Sequence, residues 1–284
     1  MKAIAVIPAR LGATRFPAKP LAKETGKYLV QHVYEQVRQC CCIQRVIVAT
    51  DDERIVAAVH SFGGDVCMTR PDHASGTDRV GEVAAGLALA DDDLVLNVQG
   101  DEPEIHPSVL DRLIERFDDI AAATASSCEN PFSHAPVANI PPRTYPRIAT
   151  VAVQFPDDGP KEGPGSPLDP NRVKVVCDHL GRAMYFSRSL IPFPRSSGGR
   201  AERPSDWWLH LGVYAFRADV LRRITSKDGL RRGGLEETES LEQLRWLQAG
   251  LSIAVVPVDH AFTGVDTPED YAAFVRRYRG RKGL

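Results

Sequence analysis

Residues 7–20 read IPARLGATRFPAKP, and this stretch decides how the rest of the chain is interpreted. The apolar run at residues 3–7 predicts a buried strand that ends at Pro8. The loop after it holds three cations bracketed by three prolines, which favours a rigid loop: Arg10, Arg15 and Lys19. A strand, a cationic loop and a helix can turn backbone N–H groups and positive charge toward one anion, as a triphosphate requires. The alternative is a basic surface loop after a first strand.

Composition and motif searches exclude several classes of protein. The first loop matches neither the P-loop nor the dinucleotide fingerprint. A formal net charge of −2 gives no electrostatic case for nucleic-acid binding across the surface. No apolar run approaches the length of a membrane span, and residues 3–7 are too few for a signal-peptide core, so we expect no membrane association.

The cysteines and histidines predict no zinc site. The six cysteines include no C-x-x-C pair, and adjacent cysteines rarely share a disulfide or a zinc ion: Cys40, Cys41, Cys42, Cys67, Cys128 and Cys177. None of the eight histidines has H-x-x-x-H or H-x-H spacing. We therefore expect reduced thiols in a cytoplasmic protein.

Strands and helices alternate through the first hundred residues. Apolar runs predict four strands, at residues 3–7, 46–49, 66–68 and 94–98, and stripes of helical period lie between them, at 28–41, 55–62 and 80–87. This alternation predicts an α/β fold with a doubly wound, mostly parallel sheet. Ligands bind such sheets outside the carboxyl ends of the strands, where the cationic loop lies.

The second half of the chain has a different texture. Prolines predict two loops, about 127–146 and 156–170, around one strand at 148–155. Further predicted elements are strands at 173–177, 183–186, 211–216 and 252–256, a helix with Leu241, Leu244 and Leu247, and a last helix with Tyr271, Phe274, Val275 and Tyr278. We expect one domain over 1–284, with a smaller β-containing lobe at about 147–216.

Residues 97–103, NVQGDEP, place Asp101 at the carboxyl edge of a buried strand. A bare carboxylate 4 Å from a phosphate oxygen would be repelled by about 4 kcal/mol at an effective dielectric constant near 20. A divalent cation between the carboxylate and the phosphate turns the repulsion into attraction. Mg²⁺ binds through one or two carboxylates plus phosphate oxygens. Asp101 is therefore a candidate Mg²⁺ ligand; the alternative is an acidic turn that caps the next helix.

Two further motifs lie at predicted helix starts. Residues 72–79, DHASGTDR, suit a helix entry facing an anion, with Arg79 as the cation, or a plain capping sequence. In residues 263–270, TGVDTPED, Thr267 suits the N-cap and Pro268 the first helical position. Asp266 precedes the cap and is left to face a site.

Seven motifs together resemble the 3-deoxy-manno-octulosonate (Kdo) cytidylyltransferases, from residue 3 to about residue 276. The first is R-x(3)-T-R-F-P-x-K-P, and the others are GTDR, NVQGDEP, YFSRSLIP, HLGVY, LEQLR and GVDTPED. Two features depart from the family pattern. Gly233-Gly234 replaces a common Ser-Pro pair, and the proline-rich region is longer than usual.

The resemblance implies a Rossmann-like fold of the nucleotide-diphospho-sugar transferase type and a role for each matched residue. It implies nucleotide binding by Ala9, Arg10, Arg15, Lys19, Arg79 and Gln99. It implies Mg²⁺ on Asp101 and Asp266, which with Lys19 form the catalytic set. It implies Kdo binding by Gln99, Tyr185, Ser187, Arg188, His210, Glu242 and Gln243. From the residues alone, 183–192 could be an edge hairpin, His210 a structural histidine and Glu242-Gln243 a solvated helix face.

The activity implied by the resemblance joins CTP and Kdo into CMP-Kdo and pyrophosphate, for lipopolysaccharide or cell-wall polysaccharide synthesis. It also implies a homodimer through the strands at 173–216. Three alternatives stay open: an 8-amino-Kdo or sialic acid acceptor, a non-catalytic nucleotide-binding module, and a glycosyltransferase. The last is disfavoured because no D-x-D lies near Asp101.

Overall fold

The apolar run at residues 3–7 forms a strand, β1 (Ala3–Pro8), inside a parallel sheet, as predicted. The computed structural model describes residues 1–12, 15–122, 146–226, 229–259 and 261–282. The other strands of this sheet are β2 (Arg45–Thr50), β3 (Asp65–Met68) and β4 (Leu94–Asn97). Strand β1 pairs with β2 on one side and β4 on the other, and β2 pairs with β3, all in parallel. This confirms the α/β fold class.

Helices connect the parallel strands: α1 (Leu29–Val37), α2 (Glu53–Ser61) and α3 (Gly76–Ala85), with α4 (Pro107–Ala122) after β4. The strand order is β3-β2-β1-β4, so the chain adds β2 and β3 on one side of β1 and then returns to add β4 on the other side. Right-handed crossovers then place α1 and α2 on one face of the sheet and α3 on the other. The loops after β1 and β4 diverge at this reversal, which is where α/β sheets bind ligands.

The chain divides into two compact units. Unit 1 comprises Met1–Ile114, Arg217–Thr225 and Phe262–Leu284, and unit 2 comprises Glu115–Phe216 and Ser226–Ala261. Unit 1 therefore holds β1–β4 and α1–α3, together with α5 (Ala218–Thr225) and α8 (Pro268–Lys282). The predicted lobe at about 147–216 lies inside unit 2.

In unit 1, helix α8 packs against the amino-terminal part of the chain. Apolar side chains form a shared core: Leu29, Val265, Tyr271, Phe274 and Val275. The Tyr271 hydroxyl accepts a hydrogen bond from the Glu24 amide at 2.8 Å. These contacts bring the segment before α8 to the first loop.

The sheet of unit 2 is mixed. Its strands are β5 (Ile148–Gln154), β6 (Lys174–Cys177), β7 (Ala183–Ser187), β8 (Trp208–Arg217) and β9 (Ile253–Pro257). Strand β5 runs antiparallel to β8 and parallel to β9, while β6 runs antiparallel to β7 and β8. The five predicted strands of this half are present, with β8 beginning three residues earlier than the predicted start at 211.

A buried lysine closes the second proline-rich loop, 156–170, which forms turns without a helix or strand. The Lys174 Nζ donates to the carbonyl oxygens of Asp169 at 3.0 Å, Arg172 at 2.6 Å and Arg188 at 2.6 Å. Of the first predicted loop, 127–146, all but the last residue lie outside the described residues. Across the described ranges, every helix is too short or too polar to cross a bilayer.

The segment before β9 contains two short helices, α6 (Gly234–Glu239) and α7 (Gln243–Gln248). Ser240 separates them in the left-handed conformation, with φ of 51°. The expectation that Leu241 and Glu242 lie within the helix is wrong, because α7 begins only at Gln243. Glu242 is instead its N-cap residue.

Candidate functional site

A cavity of about 350 Å³ opens in unit 1 at the carboxyl ends of β1 and β4. This is within the usual size range of small-molecule pockets. All the residues that line it belong to unit 1: Pro8, Ala9, Arg10, Gly12, Arg15, Lys19, Pro20, His73, Ser75, Gly76, Arg79, Gln99, Gly100, Asp101 and Asp266. The lining includes every predicted nucleotide-binding residue and both predicted metal ligands.

Backbone hydrogen bonds and a short 3₁₀ turn fix the position of the loop after β1. The Ala9 amide donates to the Ala49 carbonyl at 2.9 Å, which extends the ladder with β2. Ala18 adopts the left-handed conformation, φ 54°, and starts a 3₁₀ turn over Lys19–Leu21. That turn directs the Lys19 side chain inward, where only 12% of it is exposed.

Lys19 forms ion pairs with both predicted metal ligands. Its Nζ lies 2.7 Å from Asp101 Oδ2 and 3.4 Å from Asp266 Oδ1. The Arg15 guanidinium lies 3.3 Å from the other oxygen of Asp266. Two carboxylates that are distant in sequence thus converge on one ammonium group, in a position where a cation is favoured.

The turn that carries Asp101 needs a glycine. A Cβ on Gly100 would lie 2.8 Å from the Pro8 carbonyl oxygen, closer than real Cβ atoms come. Only glycine lets this turn approach the end of β1 so closely. The neighbouring Gln99 lines the cavity, and its Nε2 donates to Asn97 Oδ1 at 3.4 Å.

Helix α3 begins at the cavity wall. The Ser75 hydroxyl accepts from the Asp78 amide at 3.1 Å, so Ser75 is the N-cap of α3, a residue that the sequence analysis did not single out. Arg79 lines the cavity, yet its guanidinium is buried and donates to Asp51 Oδ2 at 2.9 Å and to Thr69 Oγ1. Asp51 follows β2 and Thr69 follows β3, so Arg79 connects α3 to the ends of these two strands.

Sequence reasoning assigned no role to His73, which lines the same cavity. Its Nε2 contacts the Glu82 carboxylate on α3. Burial alone would raise the pKa of Glu82, but the contacts with His73 and the Arg70 amide lower it. A carboxylate on Nε2 leaves Nδ1 as the ring nitrogen for another partner. The motif DHASGTDR contained this histidine, but nothing in its spacing indicated a partner nine residues later.

The remaining predicted residues lie in unit 2, where Glu239 connects two of them. The Glu239 carboxylate accepts from the Ser187 hydroxyl at 2.6 Å and from the Arg188 amide at 2.9 Å. The Arg188 guanidinium donates to three backbone carbonyls: Glu239 at 2.6 Å, Pro170 at 3.0 Å and Ser240 at 3.3 Å. With five N–H groups, Arg188 retains donors beyond these contacts.

His210 belongs to an adjoining cluster on β5 and β8. Its Nε2 lies 3.0 Å from Thr150 Oγ1, which also lies 2.8 Å from the Val213 carbonyl. A hydroxyl has one proton, so when it donates to Val213, His210 donates through Nε2 and its Nδ1 is an acceptor. The ring packs against Phe186 at 4.9 Å and Tyr214 at 5.5 Å, and this burial lowers the pKa of His210 to about 3.

Tyr185 and the Glu-Gln pair complete the predicted set. Tyr185 lies on β7, and partial burial raises its pKa. Glu242 Oε1 lies 2.6 Å from the Arg245 guanidinium, and the Gln243 side chain is buried. The interpretation of Glu242-Gln243 as a solvated helix face fails for Gln243 because only 5% of that residue is exposed.

Comparisons with known proteins agree with this geometry. The chain matches the family described as Cytidylyltransferase over residues 4–253. It is 43% identical to the 3-deoxy-manno-octulosonate cytidylyltransferase of Syntrophotalea carbinolica, over 99% of this chain and 100% of that protein. It is 42% identical to the 8-amino-3,8-dideoxy-manno-octulosonate cytidylyltransferase of Shewanella pealeana, over 95% and 96% of the two chains.

A solved structure is similar over the same extent. It is that of a CMP:2-keto-3-deoxy-manno-octonic acid synthetase complexed with CTP. The TM-score is 0.79 and the sequence identity 36%, with 99% of this chain and 100% of that chain covered. The fold of both units therefore has a solved counterpart.

Proposed function

Because the chain belongs to the 3-deoxy-manno-octulosonate cytidylyltransferase family, we propose that it transfers the cytidylyl group of CTP to Kdo. The Kdo anomeric hydroxyl attacks the α-phosphorus, CMP-Kdo forms and pyrophosphate leaves. The observation that carries this proposal is the convergence of Asp101 and Asp266 on Lys19 inside a cavity lined by further cations.

The cationic side of the cavity suits a triphosphate. Arg10 and Arg15 belong to the first loop and line the cavity with Lys19. Their charges hold the β- and γ-phosphates and stabilise the pyrophosphate as it leaves, so catalysis comes from positioning and charge stabilisation. Arg15 is already poised for this, because its ion pair with Asp266 is largely exposed and therefore weak.

The acidic side suits Mg²⁺. Two convergent carboxylates are the hard oxygen ligands that Mg²⁺ prefers, and the ammonium group that both of them contact supports a preference for positive charge at this position. Asp101 and Asp266 would hold the ion, which when bound would offset negative charge on the transferring phosphorus. With the carboxylates on the ion, the Lys19 ammonium group, which here contacts both of them, would be available to the phosphates.

The unit 2 residues suit a hydroxylated acid. The spare guanidinium donors of Arg188 can bind a carboxylate. His210 Nδ1 can accept a hydrogen bond from a sugar hydroxyl, and the low pKa of this ring keeps it neutral. Tyr185, Ser187, Glu242 and Gln243 supply further hydrogen-bonding groups in this unit.

The acceptor is the one point on which a specific observation favours a second candidate. The Shewanella pealeana relative carries the name of an 8-amino-Kdo enzyme, at an identity almost equal to that of the Kdo enzymes. Incubation of the purified chain with CTP, Mg²⁺ and equal concentrations of Kdo, 8-amino-Kdo and sialic acid would separate them. We expect CMP-Kdo as the main product; preferential use of either other acid would replace Kdo as the substrate.

The same assay tests the activity itself. Asp101→Asn is expected to reduce pyrophosphate release by about 100-fold or more, as loss of an electrostatic stabiliser typically does. Asp158→Asn, which removes an exposed carboxylate, is the matched control and should not change it. Full activity of Asp101→Asn would refute the metal role. Release from none of the three acids would favour a non-catalytic nucleotide-binding module.

We further propose a cytoplasmic homodimer. Two large apolar side chains of unit 2 are strongly exposed, Met184 at 65% and Phe193 at 67%, as expected of residues that a second copy covers. The described cysteines are all free thiols, which suits a reducing compartment. Light scattering of the wild type and of Met184→Glu tests the dimer, and fractionation of the native cells tests the location.

A further inference from the structure

Three consecutive cysteines, Cys40, Cys41 and Cys42, lie at the end of strand β1 that is opposite the cavity. They occupy the turn between α1 and β2, where the Gln44 amide donates to the Ala3 carbonyl at the start of β1. The cavity lies at the other end of β1, beyond Pro8. Five residues of strand separate the two ends, about 17 Å. The cysteine turn is therefore too far from the cavity to contact a nucleotide bound there.

A carboxylate from another element meets these thiols. Asp111 on α4 places Oδ1 3.6 Å from the Cys41 sulfur, and the Cys41 sulfur lies 3.9 Å from that of Cys42. One ligand atom from each of these three residues lies within 4.8 Å of the others. Among the described residues, no lysine or arginine forms an ion pair with Asp111, so the cluster lacks a protein cation.

We propose that Cys41, Cys42 and Asp111 bind a thiophilic divalent cation, Zn²⁺ or its analogue Cd²⁺. In a tetrahedral zinc site, ligand bonds of about 2.3 Å to sulfur and about 2.1 Å to oxygen place two sulfurs about 3.8 Å apart and sulfur and oxygen about 3.6 Å apart. The observed separations, 3.9 Å and 3.6 Å, match these edges. Binding releases the two thiol protons to solvent and leaves two thiolates and one carboxylate on the metal.

Cys40 has a different role from its neighbours. Its buried sulfur lies 2.9 Å from the same Asp111 oxygen, too close for both atoms to be ligands at tetrahedral edges. The Cys40 thiol instead donates to the carboxylate and orients it, as outer-shell partners of metal ligands do. The fourth position belongs to water, since Cys41 is exposed.

This proposal reverses the expectation drawn from sequence that the cysteines form no zinc site. Adjacent cysteines rarely bind one ion, but the Cys41 and Cys42 sulfurs already lie 3.9 Å apart, close to the edge of a tetrahedral zinc site. Here the missing ligand is Asp111, which comes from α4, seventy positions along the chain from Cys41. Bound metal would join the α1–β2 turn to α4 and stabilise unit 1.

The test is Cd²⁺ titration of the reduced full-length protein without Mg²⁺, followed by the ultraviolet thiolate-to-metal charge-transfer band. We expect one ion per chain in the wild type and in Cys67→Ser, which removes a thiol elsewhere. The Cys41→Ser/Cys42→Ser variant should lose the band. Asp111→Asn and Cys40→Ser should weaken binding about 10-fold to 100-fold, as outer-shell and ligand changes do.

Two controls separate this site from others. Asp101→Asn/Asp266→Asn should retain the band, because those carboxylates belong to the cavity. Zn²⁺ should compete for the band and raise the thermal unfolding temperature of the wild type but not of Cys41→Ser/Cys42→Ser. The proposal is overturned if that double cysteine variant binds Cd²⁺ like the wild type, if the wild type shows no band, or if Asp111→Asn binds as tightly as the wild type.

Discussion

The Val265 amide donates a hydrogen bond to the Asp101 carbonyl oxygen at 2.8 Å. This backbone contact joins the turn after β4 to the segment before α8. It places Asp266 beside Asp101 without the help of either carboxylate. The acidic pair is therefore positioned by main-chain structure, which leaves both side chains available for a cation.

The first prediction concerns Asp266→Asn. The backbone contact of Val265 survives this change, so the unfolding temperature should stay within about 1 °C of the wild type while turnover falls about 100-fold. Calorimetry and a pyrophosphate assay measure the two quantities. A large fall in unfolding temperature with matching loss of activity would mean that Asp266 acts through stability.

The second prediction concerns Lys19→Met, which removes the ammonium group between the carboxylates. A charged hydrogen bond to phosphate contributes about 1.5–3 kcal/mol, so CTP affinity measured by calorimetry should fall about 10-fold to 100-fold. Lys23→Met is the matched control, because Lys23 lies over the Tyr28 ring and does not line the cavity. Equal loss in both variants would contradict a specific role for Lys19.

The third prediction compares two glycines of the cavity. Gly100→Ala forces a Cβ against the Pro8 carbonyl, so it should displace Asp101 and lower kcat/KM about 100-fold. A Cβ on Gly12 meets nothing within 4 Å, so Gly12→Ala should change kcat/KM far less. Similar kinetics for the two variants would show that the close approach to β1 is unimportant.

The fourth prediction is a pH dependence of stability. Burial lowers the pKa of His210 from 6.5 to about 3, so between these pH values the unfolded chain binds a proton that the folded chain does not. Stability from this group is complete above pH 6.5 and is lost as the pH falls, by at most about 1.4 kcal/mol per pH unit.

Urea unfolding from pH 7 to pH 4 measures this dependence. His210→Gln should show a flatter curve than the wild type, whereas His60→Gln, which changes an exposed histidine, should not. Identical slopes for the wild type and His210→Gln would show that His210 titrates normally in the folded protein.

The fifth prediction concerns helix packing in unit 1. A Cβ on Gly81 of α3 would overlap the Thr225 side chain on α5. Gly81→Ala should reduce the free energy of unfolding by about 1–3 kcal/mol, the usual cost of overpacking. Gly86→Ala, in ordinary van der Waals surroundings, is the control and should be nearly neutral or slightly stabilising. Urea unfolding compares them, and a stable Gly81→Ala would mean that α3 and α5 can move apart at little cost.

Local features of the chain were predictable from sequence because they depend on near neighbours. The apolar run of β1, the alternation that follows it and the helix start within residues 72–79 all depend on residues within a few positions of each other. The motif resemblance also singled out Asp101 and Asp266, which the structure brings together. The break at Ser240 was missed because a left-handed serine has no sequence signature as glycine has.

Partnerships between distant residues were decided only by the tertiary structure. No periodicity indicates that Arg79 pairs with Asp51, that Glu239 joins Ser187 to the Arg188 amide, or that Asp111 meets the cysteine turn. The sequence alone determined the strands, the helices that connect β1 to β4 and the cationic loop, because hydrophobic period and turn chemistry act over a few residues. The folded structure decided which charged groups neutralise one another, because electrostatic and hydrogen-bonding contacts depend on distances in space that chain spacing does not encode.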